Sequence, residues 1–275
     1  MSLFMDEVTQ NGFSSLLTNE LASMWRSLIE ARIGMVLPVR QHRLFEQRIV
    51  KNMAQYKLDA ESYYQLVSRN KLEWQRLAES LVVHETSFFR HQPSFDLVEN
   101  YLMQAKQSVK IWSVGCSTGE EAWSLAMLAD RFAMYGYEVL ATDISQQVLV
   151  TAKEGMYLAR KAEHIPARFR ATSGYAVKQL YWQVADNLKP YVIFRQFNLM
   201  NVVTVPFRKL NIIYCQNVLI YFKKFDRRDI LNALVKCLDV GGILVLGPGE
   251  VLEWHHCQLK KIEWSGTLAY EKICI

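Results

Sequence analysis

Near Val109 the hydrophobic pattern changes its period, and that change restricts the chain more than any other feature. Upstream, residues 1 to about 82 read as helices: FSSLLTNELASMWRSLIEARIG, PVRQHRLFEQRIVKNMAQY, DAESYYQLVSRN and KLEWQRLAESLVV repeat apolar residues at three and four, without strand-like alternation. Pro38 suits the first turn of the second of these. Downstream, short apolar strands alternate with helices. VKIWSVG leads into EEAWSLAMLADRFAMYG, closed by Gly136; YEVLATD leads into SQQVLVTAKEGMY; LNIIYCQN leads into FDRRDILNALVKCLDVGG, closed by Gly241 and Gly242; ILVLG and TLAYEKICI follow. Strands interleaved with helices imply a mostly parallel, doubly wound α/β sheet. The expected organisation is an all-helical domain over 1–82 and a Rossmann-like domain over 83–275. YAVKQLYWQV, the turn ADNLKP and YVIFRQF read as a β-hairpin, so a small antiparallel β-subdomain is expected within the second domain at about 168–197.

Composition removes several function classes. No apolar run in the 275 residues approaches the roughly 20 that a membrane-spanning helix needs. The N-terminus carries Asp6 and Glu7 where a secretion signal would be positive, so a soluble cytoplasmic protein is expected. Five cysteines, an odd number without a C-x-x-C pair, fit reduced core thiols better than a disulfide frame or a zinc site; His255, His256 and Cys257 lack a second cluster, and no metal is expected. The net charge of +5 is unevenly placed: seven Lys/Arg stand against Glu30 and Glu46 between Arg26 and Lys57. Set on a helix, Arg40, Arg43, Arg48 and Lys51 share an arc of about 140°, with Phe45, Ile49 and Met53 opposite and Leu44 the exception among the bases. A solvated face accounts for such a stripe, and so does a docking surface for an acidic partner.

The first strand-to-helix loop, GCSTG, contains Gly115 and Gly119 but no G-x-G-x-x-G, and the next helix opens with Glu120 and Glu121. A glycine turn entering a helix usually cradles phosphate. Two fixed carboxylates would repel one. Asp143 ends the second strand, where an acid commonly accepts from ribose hydroxyls; N-capping of the following helix is its other reading. S-adenosylmethionine meets both demands, since it carries ribose and two cationic groups but no phosphate.

SLVVHETSFFRHQPSFDLV, IWSVGCSTGEEAWSLAM, LATDIS, FRQFNL and IIYCQNVLIYF follow one another in the order and spacing of the CheR family of chemotaxis receptor methyltransferases, and the chain resembles that family over nearly its whole length. The resemblance implies a Rossmann-like S-adenosylmethionine-dependent methyltransferase domain with an inserted small antiparallel β-subdomain, preceded by an all-helical receptor-docking domain. It implies methyl transfer to glutamate side chains on the cytoplasmic helices of chemoreceptors, leaving S-adenosyl-L-homocysteine. In the family's N-x-T-x-x-x-R motif, which contributes to cofactor binding, Thr86 and Arg90 match while His84 replaces asparagine, so all three are expected to touch the cofactor. Glu120, Asp143, Asn198 and Leu199 match cofactor-binding positions, with Gly115 in the glycine loop. Gln216 and Asn217 are further expected cofactor-binding positions, Gln216 standing where the family has arginine, and Tyr221 matches the tyrosine at the mouth of the site. GPGE, Gly247 to Glu250, stands where the family has GHSE.

Members that grip a receptor's C-terminal tail carry a glycine-and-arginine loop in the hairpin. ATSGYAVKQL has only Gly174 and Lys178, so tail-independent recognition is expected. A glutamate substrate is already ionised near pH 7 and needs no base, so Arg90 and Tyr221 are expected to orient it. Arg40, Arg43, Arg48 and Lys51 are the expected receptor-docking face of a monomeric enzyme. An RNA methyltransferase and a catalytically idle receptor adaptor stay open as alternatives; the absence of an N-P-P-Y type motif opposes the first.

Overall fold

The computed structural model describes residues 18–34, 36, 39–81, 85–204, 207–251 and 253–274; Pro38 and His84 lie outside these. The chain divides into two compact units: Met1–Val83 with Tyr221–Lys223, and His84–Ile220 with Lys224–Ile275.

The first unit is helical. In α1 (Asn19–Ile33), the Thr18 hydroxyl accepts the Leu21 N–H at 3.2 Å, and Gly34 ends the helix in the left-handed region at φ 70°. α2 (Val39–Tyr56), α3 (Ala60–Arg69) and α4 (Lys71–Leu81) follow, α3 capped by Asp59. Each buries the stripe its periodicity marks: Trp25 and Ile29, Phe45 and Ile49, Tyr63 and Val67, and Leu77 form the core. The buried Glu73 is not orphaned, because the Tyr56 and Tyr63 hydroxyls both donate to it. Arg32 lies over the Trp74 ring at 4.8 Å and donates to the Ser68 carbonyl at 2.6 Å.

The second unit holds a seven-stranded sheet in the order β6-β2-β1-β7-β8-β10-β9. α5 (Gln92–Gln104) precedes β1 (Val109–Val114), followed by α6 (Glu120–Phe132), β2 (Tyr137–Asp143) and α7 (Gln146–Glu154). A smaller segment then runs through β3 (Met156–Leu158), α8 (Ala159–Ala162), α9 (Ala167–Arg170), β4 (Gly174–Val177) and β5 (Tyr181–Val184). β6 (Val192–Gln196), β7 (Leu210–Cys215), α10 (Lys224–Cys237), β8 (Leu238–Leu246), β9 (Leu259–Ile262) and β10 (Leu268–Lys272) complete it. β6, β2, β1, β7 and β8 are parallel, while β10 runs antiparallel to β8 and β9. Strands β2 and β6 build outward on one side of β1, and β7 and β8 on the other. The order therefore reverses between β1 and β7, and in such sheets ligands lie outside the strand carboxyl ends at that point.

Two sequence expectations are corrected. YVIFRQF is not the second arm of a hairpin. It forms β6, parallel to β2, with Val139 opposite Val192 and Ala141 opposite Phe194. Val192 and Phe194 are buried there, a place a solvated hairpin would not offer them. The antiparallel sheet is instead β3-β5-β4, its hairpin turning at Lys178 and Gln179, both at positive φ (47° and 57°). Gly241 and Gly242 do not close a helix either, since α10 ends at Cys237. They lie within β8, where a Cβ on Gly242 would sit 2.7 Å from the Leu210 carbonyl oxygen.

Candidate functional site

The glycine loop grows directly from the end of β1. The Gly115 and Cys116 amides donate to the Thr142 carbonyl on β2 at 2.8 and 2.9 Å, folding the chain across the sheet edge. Gly115 has φ 72°, and a Cβ there would collide with Val218. Gly119 opens α6 at φ 95°, with only 2.7 Å between its would-be Cβ and that of Ala152. Both positions combine positive φ with close approach, which only glycine tolerates without strain.

Asp143, at the end of β2, is buried and holds this loop. Its Oδ2 accepts the Ser117 N–H at 2.8 Å and its Oδ1 the Ser145 N–H at 3.0 Å. The helix-capping role considered for Asp143 falls to Ser145, whose hydroxyl accepts from Val148. Next to it, the Phe197 amide donates to the Asp143 carbonyl at 2.8 Å, bringing Asn198 and the buried Leu199 to the same edge. The Asn198 side chain accepts the Met200 N–H at 3.0 Å.

The two glutamates of α6 have different surroundings. Glu120 is wholly buried; one carboxylate oxygen pairs with Lys161 of α8 and the other accepts from the Thr118 hydroxyl at 2.6 Å. Glu121 accepts from Ser113 Oγ at 2.6 Å. Desolvation pushes its carboxyl up to about 8, against that hydrogen bond; Glu250 adds to the rise and Arg90 opposes it. Two fixed, uncompensated charges at the loop are thus not what the fold provides. Lys161 offsets one carboxylate, and desolvation disfavours the charge on the other.

The loop after β7 faces the same switch point. Gln216 is buried, its amide donating to Ser94 Oγ at 2.7 Å and the Leu246 carbonyl at 3.2 Å while its oxygen accepts from the Tyr214 hydroxyl. It ties α5 to β7 and β8, so both amide donors are committed to the scaffold. Asn217 is exposed at φ 59°. Glu250 fixes this loop, since its buried carboxylate accepts the backbone N–H groups of Asn217 and Leu219. Burial raises the Glu250 carboxyl to about 7 against those hydrogen bonds and Arg227, whose guanidinium donates to the Glu250 carbonyl at 2.6 Å. Tyr221 belongs to the first unit, where its carbonyl accepts the Val36 N–H at 2.7 Å.

Arg90 is set by the two residues before it. Phe88 packs edge-on against Tyr157 and Trp182, and Phe89 stacks on Phe169 at 5.3 Å. The Phe89 amide donates to Ser124 Oγ, which itself donates to the Glu120 carbonyl. A turn anchored on both sides leaves Arg90 exposed, its guanidinium donating to the Glu85 carbonyl at 2.9 Å. Thr86 lies half-buried in the same segment. In the first unit Arg43 and Lys51 are exposed and Arg48 half-buried, with Phe45, Ile49 and Met53 buried opposite; the Arg40 side chain lies outside the described residues.

The structure therefore gathers Gly115, Glu120, Asp143, Asn198 and Leu199 along one edge of the second unit. Among the described residues it also shows three contributors that motif reading left without roles: Ser117, Lys161 and Glu250. The last is the acid of GPGE; the other two carry no sequence signal. An adenosyl ligand fits this edge. Ser117 Oγ is buried without a hydrogen-bond partner among the described residues, a polar atom that a ligand hydroxyl would satisfy.

Comparison with known proteins agrees. Residues 84–267 match the family model described as CheR methyltransferase, SAM binding domain. The chain is 32% identical over 233 residues to a chemotaxis protein methyltransferase of Escherichia coli, covering 81% of each protein. It is 27% identical over 266 residues to one from Borreliella burgdorferi, covering 92% of this chain and 88% of that one. A third, chemotaxis protein methyltransferase 1 of Pseudomonas aeruginosa, is 31% identical over 248 residues. With the switch-point loop, the family match and these relatives in agreement, the chain belongs to the CheR methyltransferase family and is an S-adenosylmethionine-dependent methyltransferase of chemotaxis.

Proposed function

We propose that the protein esterifies glutamate side chains on the cytoplasmic helices of chemoreceptors, without gripping a receptor tail peptide. The observation that carries this reading is the placement of Arg90: an exposed guanidinium on a rigid turn whose anchor, Ser124, is bonded to the backbone of Glu120 in the cofactor loop.

S-adenosylmethionine supplies an electrophilic methyl group on a positively charged sulfur. Gly115, Glu120, Asp143, Asn198, Leu199 and Asn217 are the residues proposed to hold it, with Thr86 and His84 from the preceding segment. Gln216 supports that wall from behind through its bonds to Ser94 and Leu246. The substrate carboxylate is already a nucleophile, with an ordinary value of about 4.3, so the enzyme's task is alignment and exclusion of water. Arg90 holds the carboxylate oxygen that does not react, by a charge-assisted hydrogen bond. Tyr221 orients the same group. Neither accepts a proton.

The face of α2 bearing Arg40, Arg43, Arg48 and Lys51 is proposed to dock acidic receptor helices. Tail independence is supported by the β4–β5 turn, which presents Lys178 and Gln179 rather than glycine and arginine. Transfer of radiolabelled methyl groups to isolated receptor signalling fragments tests the reading. Alkali-labile label on glutamates is expected, with a rate loss of at least about a hundredfold in Arg90→Ala. Wild-type enzyme that binds the cofactor yet labels no receptor fragment would refute the substrate assignment.

A further inference from the structure

One interaction in the glycine-loop site has no part in the chemistry above. Lys161 belongs to α8, a helix of four residues, and its side chain is 39% exposed, yet its ammonium pairs with a carboxylate that is 0% exposed. Tyr157, four residues earlier, spans the same gap: its hydroxyl donates to the Thr118 carbonyl at 2.7 Å, and Lys161 lies 5.9 Å from its ring. The β3–α8 segment thus reaches the loop at two points. Tyr157 provides a neutral strut packed on Phe88, whereas Lys161 brings a full positive charge onto Glu120.

That charge matters because of what the site must distinguish. The methyl donor has a cationic sulfur, and the spent product has a neutral one; the two differ by one charge and one methyl group. A buried carboxylate kept ionised by a cationic ligand favours that ligand strongly, since their attraction is poorly screened. A lysine on that carboxylate cancels much of its field.

We propose that Lys161 is a specificity-determining residue that sets how strongly the site prefers the positively charged donor over its neutral-sulfur product, by balancing the charge of Glu120. The inference rests on the reading of the glycine loop as the cofactor site. It predicts that the wild-type preference is held low, so that product and donor compete on comparable terms.

Calorimetric titration of the full chain with S-adenosylmethionine and with S-adenosyl-L-homocysteine gives the ratio of the two Kd values. In Lys161→Met the preference for the donor is expected to rise about tenfold, in line with removal of one partly screened charge. Lys161→Arg keeps the wild-type ratio, and adding Lys161→Met to Glu120→Gln leaves the ratio of Glu120→Gln unchanged. An unaltered ratio in a Lys161→Met protein that still binds both ligands makes Lys161 a mere strut and overturns the proposal. Wild-type protein that binds neither ligand overturns the site reading itself, a distinguishable failure. Should circular dichroism show Lys161→Met unfolded, the same ratio in Lys161→Gln decides.

Discussion

Glu120 and Glu121 are neighbours in sequence, yet the roughly 100° between successive helical residues sends them to opposite fates. Glu120 meets a lysine, while Glu121 meets a serine hydroxyl and a desolvated surround. The second case has a consequence for pH. The Glu121 carboxyl is raised in the folded state from an ordinary 4.5 to about 8, so the folded protein keeps a proton that the unfolded chain gives up. Between those values the folded state binds more protons, and its stability falls as pH rises. Glu250 acts in the same direction up to about 7. Glu121→Gln keeps an acceptor for Ser113 and removes this slope. Its Tm relative to wild type is therefore expected to climb by several degrees between about pH 5 and about pH 8.5, as followed by calorimetry. Parallel Tm curves would show that Glu121 is ionised in the fold. At this scale the sequence was legible wherever a residue type and its place in a motif coincide, as for Asp143 and Gly115. Lys161 was not legible, because its partner lies 41 residues away and only the closure of α8 over the loop brings the two together. The ionisation of Glu121 was likewise hidden, since it depends on burial rather than on type.

Elements place these residues through a few tight contacts. Gly119 is one of them: it starts α6 in the left-handed region while packed against Ala152 of α7. Gly119→Ala would force a strained φ and push two helices apart, at a cost of about 1–3 kcal/mol. The measurable outcome is a lower denaturation midpoint and weakened cofactor binding; a variant with unchanged values in both would show that α6 and α7 give way freely. In the second unit α6, α7 and α10 and the parallel strands β1, β2, β7 and β8 were legible from their periods, since burial on both faces leaves unbroken apolar runs such as IIYC, whereas α5, α8 and α9 were not read. β9 was missed because LKKI is short and half polar, and β6 was misassigned because a β-rich stretch following a turn reads alike whether it closes a hairpin or crosses to another sheet. Only the buried pairing with β2 separates the two.

Over the whole molecule, the change of period near Val109 corresponds to two kinds of unit, one helical and one built on a sheet. The basic face of α2 belongs to the first, and the glycine loop proposed to hold the cofactor to the second. Arg43 and Arg48 thus belong to a different unit from the glycine loop. Replacing both with Glu is expected to weaken binding to receptor fragments by about tenfold or more at low salt, while the Kd for S-adenosylmethionine stays as in wild type. If both affinities drop together, docking and cofactor binding are not separate tasks. No described helix is long and apolar enough to cross a membrane.

Cys116, inside the glycine loop, brings a hazard that the fold defuses. An alkylating cofactor beside a thiolate would in time modify its own enzyme, because thiolates capture electrophilic carbon readily. Burial pushes the Cys116 thiol well above its usual range, and the acids Asp143 and Glu121 push the same way. Both effects disfavour the thiolate, which makes Cys116 a poor trap for a methylating agent carried beside the same loop.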